Sequence, residues 1–105
     1  MKLIKKYSDV IIMSNEEQLE SLITQTIYGA MSTIPAYLEE IKQNKDSLQV
    51  GNAEEFVYGM VMGMALGMGG ALLSAQKEIP SEEDQIKVRD MIYKHLPEIR
   101  ERIFG

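Results

Sequence analysis

The sequence predicts an all-α protein: a compact three- to four-helix bundle around a central Gly/Met-rich apolar helix, completed by homodimerisation. Three observations carry that expectation. Apolar residues recur at helical spacing in two amphipathic segments, capping residues stand at three helix starts, and the twenty residues from Phe56 to Ala75 carry no charge. A share of 45% apolar and 26% charged side chains in 105 residues fits one ordinary folded core rather than a disordered chain. Residues 14–105 are therefore read as a single helical domain.

Residues 1–13 join lysines to a β-branched run, Val10-Ile11-Ile12, and are read as an N-terminal arm, either strand or extended. A lone strand has nothing to pair with in a helical chain, so a strand here would pair with its copy in a second subunit. The first helix starts after Ser14, whose hydroxyl can accept from the backbone N–H near Glu17 while Glu17 reaches back. Glu16 and Glu17 also suit the positive end of the helix dipole. Leu19, Leu22, Ile23, Thr26, Ile27, Ala30, Met31 and Ile34 then recur at steps of three and four and share one face. Pro35 lacks an N–H and crowds the carbonyl of Met31, so the helix must kink or restart, with Thr33 as the new cap and Leu38 and Ile41 facing inward. Lys42 to Asp46, followed by Gly51-Asn52, reads as exit and loop.

Asn52 with Glu55 three residues later repeats the capping signature, which starts another helix at residue 53. Pro80 ends the segment that follows. Ser81 with Glu82, Glu83 and Asp84 opens the last helix, where Val88, Ile92, Leu96, Ile99 and Ile103 turn inward. Pro97 is expected to bend this helix near Tyr93, and Gly105 ends it.

The uncharged segment holds Gly59, Gly63, Gly67, Gly69 and Gly70, and each glycine inside a helix costs about 1 kcal/mol relative to alanine. At about 100° per residue, Gly59, Gly63, Gly67 and Gly70 fall within an arc of roughly 80°, joined by Leu66 and Ser74. Such a groove lets a second backbone approach closely, so the stripe reads as a helix-packing or interface surface. Met60, Met64 and Met68 line the neighbouring face, where flexible thioethers fill irregular gaps. Val57, Tyr58, Val61, Met62, Ala65, Leu72 and Leu73 complete a helix with no polar side. Such a helix is central in its protein or inside a membrane. The modest hydrophobicity of a glycine-rich segment, and two amphipathic helices that need an apolar surface to cover, favour the soluble arrangement.

Several chemistries are excluded or weakened by composition. The chain has no cysteine, which removes disulfides, thiolate metal sites and a cysteine nucleophile. Its net charge of −5 and scattered lysines and arginines argue against nucleic-acid binding. His95 is the only histidine and reads as a surface or helix-end residue; the sequence His95-x-x-Glu98 reverses the order a di-iron bundle needs. The pairs Glu16/Glu17, Glu54/Glu55 and Glu82/Glu83 stand in helix first turns, where capping explains them. Met60, Met62, Met64 and Met68 could offer soft ligands to Cu(I), but core filling is the commoner use. No Gly-Lys-Ser/Thr ending makes the glycines a phosphate loop. No catalytic, cofactor-binding or metal site is therefore expected.

The run Val10 to Met13 is too short for a signal peptide's apolar core, so a cytoplasmic protein is expected. The function expected is that of a non-enzymatic interaction or scaffold module acting through self-association, a dimer first, or through a protein partner. The site residues would be Gly59, Met60, Gly63, Met64, Leu66, Gly67, Met68 and Gly70. Two alternatives come from other classes: a single-pass membrane subunit with a glycine-zipper span at 56–75, and a small-ligand carrier with a Met-lined pocket.

Overall fold

The structure is a computed structural model that describes residues 14–77 and 79–105; the arm expected at 1–13 lies outside them. Among the described residues every regular element is a helix: α1 (Asn15–Ser32), α2 (Ile34–Gln43), α3 (Lys45–Leu48), α4 (Ala53–Gln76), α5 (Glu82–Tyr93) and α6 (Leu96–Phe104).

The helix starts follow the capping chemistry. Ser14 Oγ accepts the Glu17 N–H at 3.0 Å, and Asn52 Oδ1 accepts the Glu55 N–H at 3.0 Å. At α5 both halves of a capping box form, with Asp84 N–H donating to Ser81 Oγ and Ser81 N–H to the Asp84 carboxylate, each at 3.1 Å. These bonds satisfy donors that a helix start leaves without partners. Pro35 and Pro97 restart the helix rather than bend it. Pro35 and Pro97 each stand in a first turn, of α2 and α6 respectively, where the missing N–H leaves no gap.

Two local expectations need correction. Thr33 occupies the cap position of α2 but makes no capping bond with its side chain. Its hydroxyl instead donates to the Ala30 carbonyl at 2.6 Å, and its N–H reaches the same oxygen at 3.1 Å, so it closes α1. The loop expected from Lys42 to Asp46 is mostly helix, because no glycine or proline interrupts the chain before Gly51. There α2 runs to Gln43 and the single turn α3 follows. Gln49 ends α3 in the left-handed region, φ 55°, which lets the Val50 N–H reach the Lys45 carbonyl at 3.0 Å.

Four helices, α1, α2, α5 and α6, pack on α4. What α4 gives them is a ladder at steps of four: Ala53, Val57, Val61, Ala65, Gly69 and Leu73, all buried. Against it lie Leu19, Ile23, Ile27 and Met31 of α1, Ile34 and Ile41 of α2, Val88, Met91 and Ile92 of α5, and Ile99 and Ile103 of α6. No polar side chain is buried among the described residues, so the core is held by apolar burial, about 1.5–3 kcal/mol for each large aliphatic side chain. The closest approach is at Gly69, where an added Cβ would stand 2.9 Å from Val88 Cγ1 and 3.2 Å from Ile92 Cδ1.

Polar contacts brace the edges. Lys94 pairs with Glu20, and the His95 ring packs edge-on to Tyr28 with centroids 6.0 Å apart while Nε2 lies 3.5 Å from Thr24 Oγ1. His95 is thus the helix-end residue expected, tying the corner between α5 and α6 to α1. Arg100 lies over the rings of Tyr58 at 4.9 Å and Phe104 at 4.5 Å, clipping α6 to α4.

The molecule is 21 Å across in its thinnest direction, about two helix diameters. A helix enclosed on all sides would need a third layer. Consequently α4 is central in its contacts but covered on one side, with 28% of its most apolar 18-residue stretch buried within the chain.

The close approach at Gly69 makes a contrast between two glycines. Gly69→Ala drives a methyl group into Val88 and is expected to lower stability by about 1–3 kcal/mol. Gly29→Ala, inside α1 with open space where its Cβ would stand, is expected to raise it by up to about 1 kcal/mol. Urea unfolding of both variants followed by circular dichroism measures the two shifts.

Candidate functional site: the open face of α4

A ladder at steps of four advances about 40° around the helix with each step, so the buried residues leave a matching strip uncovered. The strip holds Phe56, Gly59, Gly63, Leu66, Gly67, Gly70 and Ser74, all exposed. Phe56 and Leu66 are 40% and 41% exposed. A Cβ built at Gly59, Gly63, Gly67 or Gly70 meets nothing within 4 Å. Among the described residues, therefore, the glycine stripe packs against no helix, and the glycine that allows close packing is Gly69, which stands outside the stripe.

The methionines divide. Met60 and Met64 are half-buried along one rim of the core, with Met62 on the opposite side of the helix, whereas Met68 is 52% exposed. The chain brings Gly59, Gly63, Leu66, Gly67 and Gly70 onto one open surface, sets Met60 and Met64 at its edge, and turns Met68 away from the core.

Beside the C-terminal half of the strip, α4 and α5 diverge to form a cleft of about 350 Å³ lined by Leu66, Gly70, Leu73, Ser74, Pro80, Gln85, Val88 and Arg89. Its floor is apolar and its rim polar. Arg89 pairs with the adjacent Asp90 at 3.0 Å and lies 5.6 Å from the Tyr93 ring centroid, with half of its side chain in solvent. Phe56 and the α5 side of the cleft were not singled out from the sequence. Phe56 begins the uncharged run and could have been noticed, but the cleft depends on how α5 docks and leaves no local signal.

A second hollow, of about 280 Å³, lies where the start of α1 meets the end of α4 and α5. Asn15, Leu19, Gln76, Lys77, Asp84 and Met91 are among its walls. Gln76 Nε2 donates to the Asn15 carbonyl at 3.2 Å, which fixes α1 antiparallel to α4. Lys77 Nζ lies 2.9 Å from Asp84 Oδ1. That ammonium, with the Ser81 N–H and hydroxyl, holds the Asp84 carboxyl down from 3.8 to about 2. Neither hollow is lined by Met60, Met64 or Met68. Among the described residues no three His, Asp or Glu side chains gather as a metal would require. The chain matches no protein-family model, no curated protein and no solved structure.

Because folding lowers the Asp84 pKa, its ionised form contributes stability at neutral pH that is lost as pH falls from about 4 towards 2. Asp84→Asn removes that dependence. Between pH 5 and 2 the variant is expected to lose less stability than the wild type, measured as denaturation midpoint against pH.

Proposed function

We propose that this protein is a non-enzymatic self-associating module, a homodimer that uses the open face of α4. One observation carries the reading: an uncharged helical surface with Phe56 and Leu66 exposed beside bare glycines has no cover from the other described residues. Contiguous exposed apolar surface of this kind marks interaction sites in soluble proteins. Glycines at a spacing near one turn let a facing helix come within backbone contact and gain dispersion energy along its length. The helical cost of those glycines, about 1 kcal/mol each, has no compensation from the other described residues at Gly59, Gly63, Gly67 or Gly70, whereas a second helix packed on them would supply one.

A single-pass span is the second reading, favoured by α4 itself, whose 24 residues are long and apolar enough to cross a bilayer. The fold weighs against it. In the same orientation α1 lies antiparallel beside α4, so Glu20 and the exposed Gln25 would stand at hydrocarbon depth, and a carboxylate there costs about 2.5–3.5 kcal/mol by insertion scales. A cytoplasmic location is part of the same proposal.

Light scattering coupled to size exclusion, without detergent, is expected to give twice the chain mass of 11.9 kDa. Gly63→Glu points a carboxylate into space that is empty in one chain but would be closed in a dimer, so this variant is expected to fold and run as a monomer. A monomeric wild type, or a Gly63→Glu variant that stays dimeric, overturns the reading. Recovery only with membranes, released only by detergent, selects the span.

A further inference from the structure

We infer that the second copy lies antiparallel across α4, with Phe56 of each copy seated in the cleft between α4 and α5 of the other. This inference rests on the self-association proposed above and specifies its geometry. The order of large and small residues along the open face sets this geometry. A two-fold axis crossing the helices between Met64 and Ala65 sets every residue opposite the one equally far beyond the axis. Leu66 then faces the partner's Gly63, and Gly59 faces the partner's Gly70. Phe56 arrives opposite the partner's Leu73, which is buried, at the cleft of about 350 Å³, which has room for a phenyl ring. Each large side chain thus meets a glycine or a hollow. These residues share one side of α4 at about 100° per residue, so one contact line accommodates all the pairings.

The parallel alternative sets each residue against its own copy. Leu66 would meet the partner's Leu66 and hold the glycines apart, while Glu54 and Glu55 would meet their own copies with the two helix dipoles aligned. In the antiparallel pair the dipoles oppose, and Glu55, which is exposed and lies 3.9 Å from Arg100 of its own chain, comes opposite the partner's Ser74 at the edge of the cleft that Arg89 borders. A carboxylate therefore meets a guanidinium twice, once at each end of an isologous interface. Contact area requires the cleft as well. From Phe56 to Ser74 the open strip is about 27 Å long and about 10 Å wide, which is small against the roughly 800 Å² per partner of a standard interface. The flank formed by Gln85, Val88 and Arg89 has to join it, and insertion of Phe56 brings that flank into contact.

The chain contains no cysteine, so orientation can be read from single-cysteine variants of the full chain. Gly59→Cys and Gly70→Cys both place the thiol in open space in one copy. Mixed in equal amounts and oxidised, they are expected to form the mixed 59–70 disulfide, since opposed residues on touching helices fall within the Cα spacing of about 4.4–6.8 Å that a disulfide needs. Predominant 59–59 and 70–70 products from a wild type that is dimeric by light scattering overturn the antiparallel orientation and leave self-association standing. A monomeric wild type overturns both. As a second measure, Arg89→Glu is expected to weaken the dimer about tenfold, and Glu55→Arg in the same chain to restore it to within about threefold, a range set by charge pairing at an interface. Arg89→Glu without effect, or no restoration by the second change, refutes the Glu55 to Arg89 pairing.

Discussion

The rest of the structure depends on the ladder of Ala53, Val57, Val61, Ala65, Gly69 and Leu73, through which α4 meets all the larger helices. Its members are small or β-branched until Leu73, and the side chains packed on it are large: Ile23, Ile27, Met31, Ile92 and Ile99. The bulk of the core thus comes from the outer helices, and α4 supplies the surface they fit. Gly69 is the extreme case, where the absence of a Cβ allows Val88 and Ile92 to approach its backbone. Because one ladder on one helix receives all the larger helices, the described residues form two layers, and none of them covers the far side of α4.

The two proline breaks serve the same geometry. A continuous helix from Asn15 to Gln43 would be about 44 Å long at 1.5 Å per residue and would overrun the 24 residues of α4. Restarting at Ile34 lets α2 turn so that Ile34 and Ile41 both reach the core. The same holds at Pro97, where α6 turns Ile99 and Ile103 inward while Arg100 lies across Tyr58 and Phe104. Corners built this way have backbone groups to satisfy, and short-range bonds do so: the Thr33 hydroxyl and N–H on the Ala30 carbonyl, and the His95 N–H on that of Ile92 at 3.0 Å.

The polar contacts lie at the rim and the apolar ones at the centre, which separates what holds the chain together from what it offers to others. Ion pairs such as Lys42 with Glu54 at 3.3 Å are exposed and contribute little individually. The open strip of α4 carries no such pairs among its uncharged residues, so water meets bare backbone and apolar side chains there. In the proposed dimer that strip is removed from water, and the cleft beside it acquires an occupant. The hollow at the start of α1 differs in kind, since Lys77 and Asp84 in its wall are engaged in holding the end of α4 to the cap of α5.

Much of this was legible in the residues. Ser14, Asn52 and Ser81 mark the starts of α1, α4 and α5 because capping is local chemistry between a side chain and the next turn. The prolines mark the breaks for the same reason, and the inward faces of α1, α5 and α6 follow from periodicity except at Leu22, which shares the apolar spacing of α1 but is 42% exposed. Where the sequence misled, the deciding interaction was nonlocal or weak: the role of Thr33, and the helix that continues past Lys42. The face of α4 is the clearest division. A helix apolar on every side carries no periodic signal for which side is covered, so spacing could find the glycine stripe but could not tell whether its own chain would use it. Tertiary packing decided that. The bulky side chains of α1, α2, α5 and α6 fit a ridge that has a Cβ at almost every turn, and a bare groove would have left voids beneath them, so the ladder is buried and the glycines face outward.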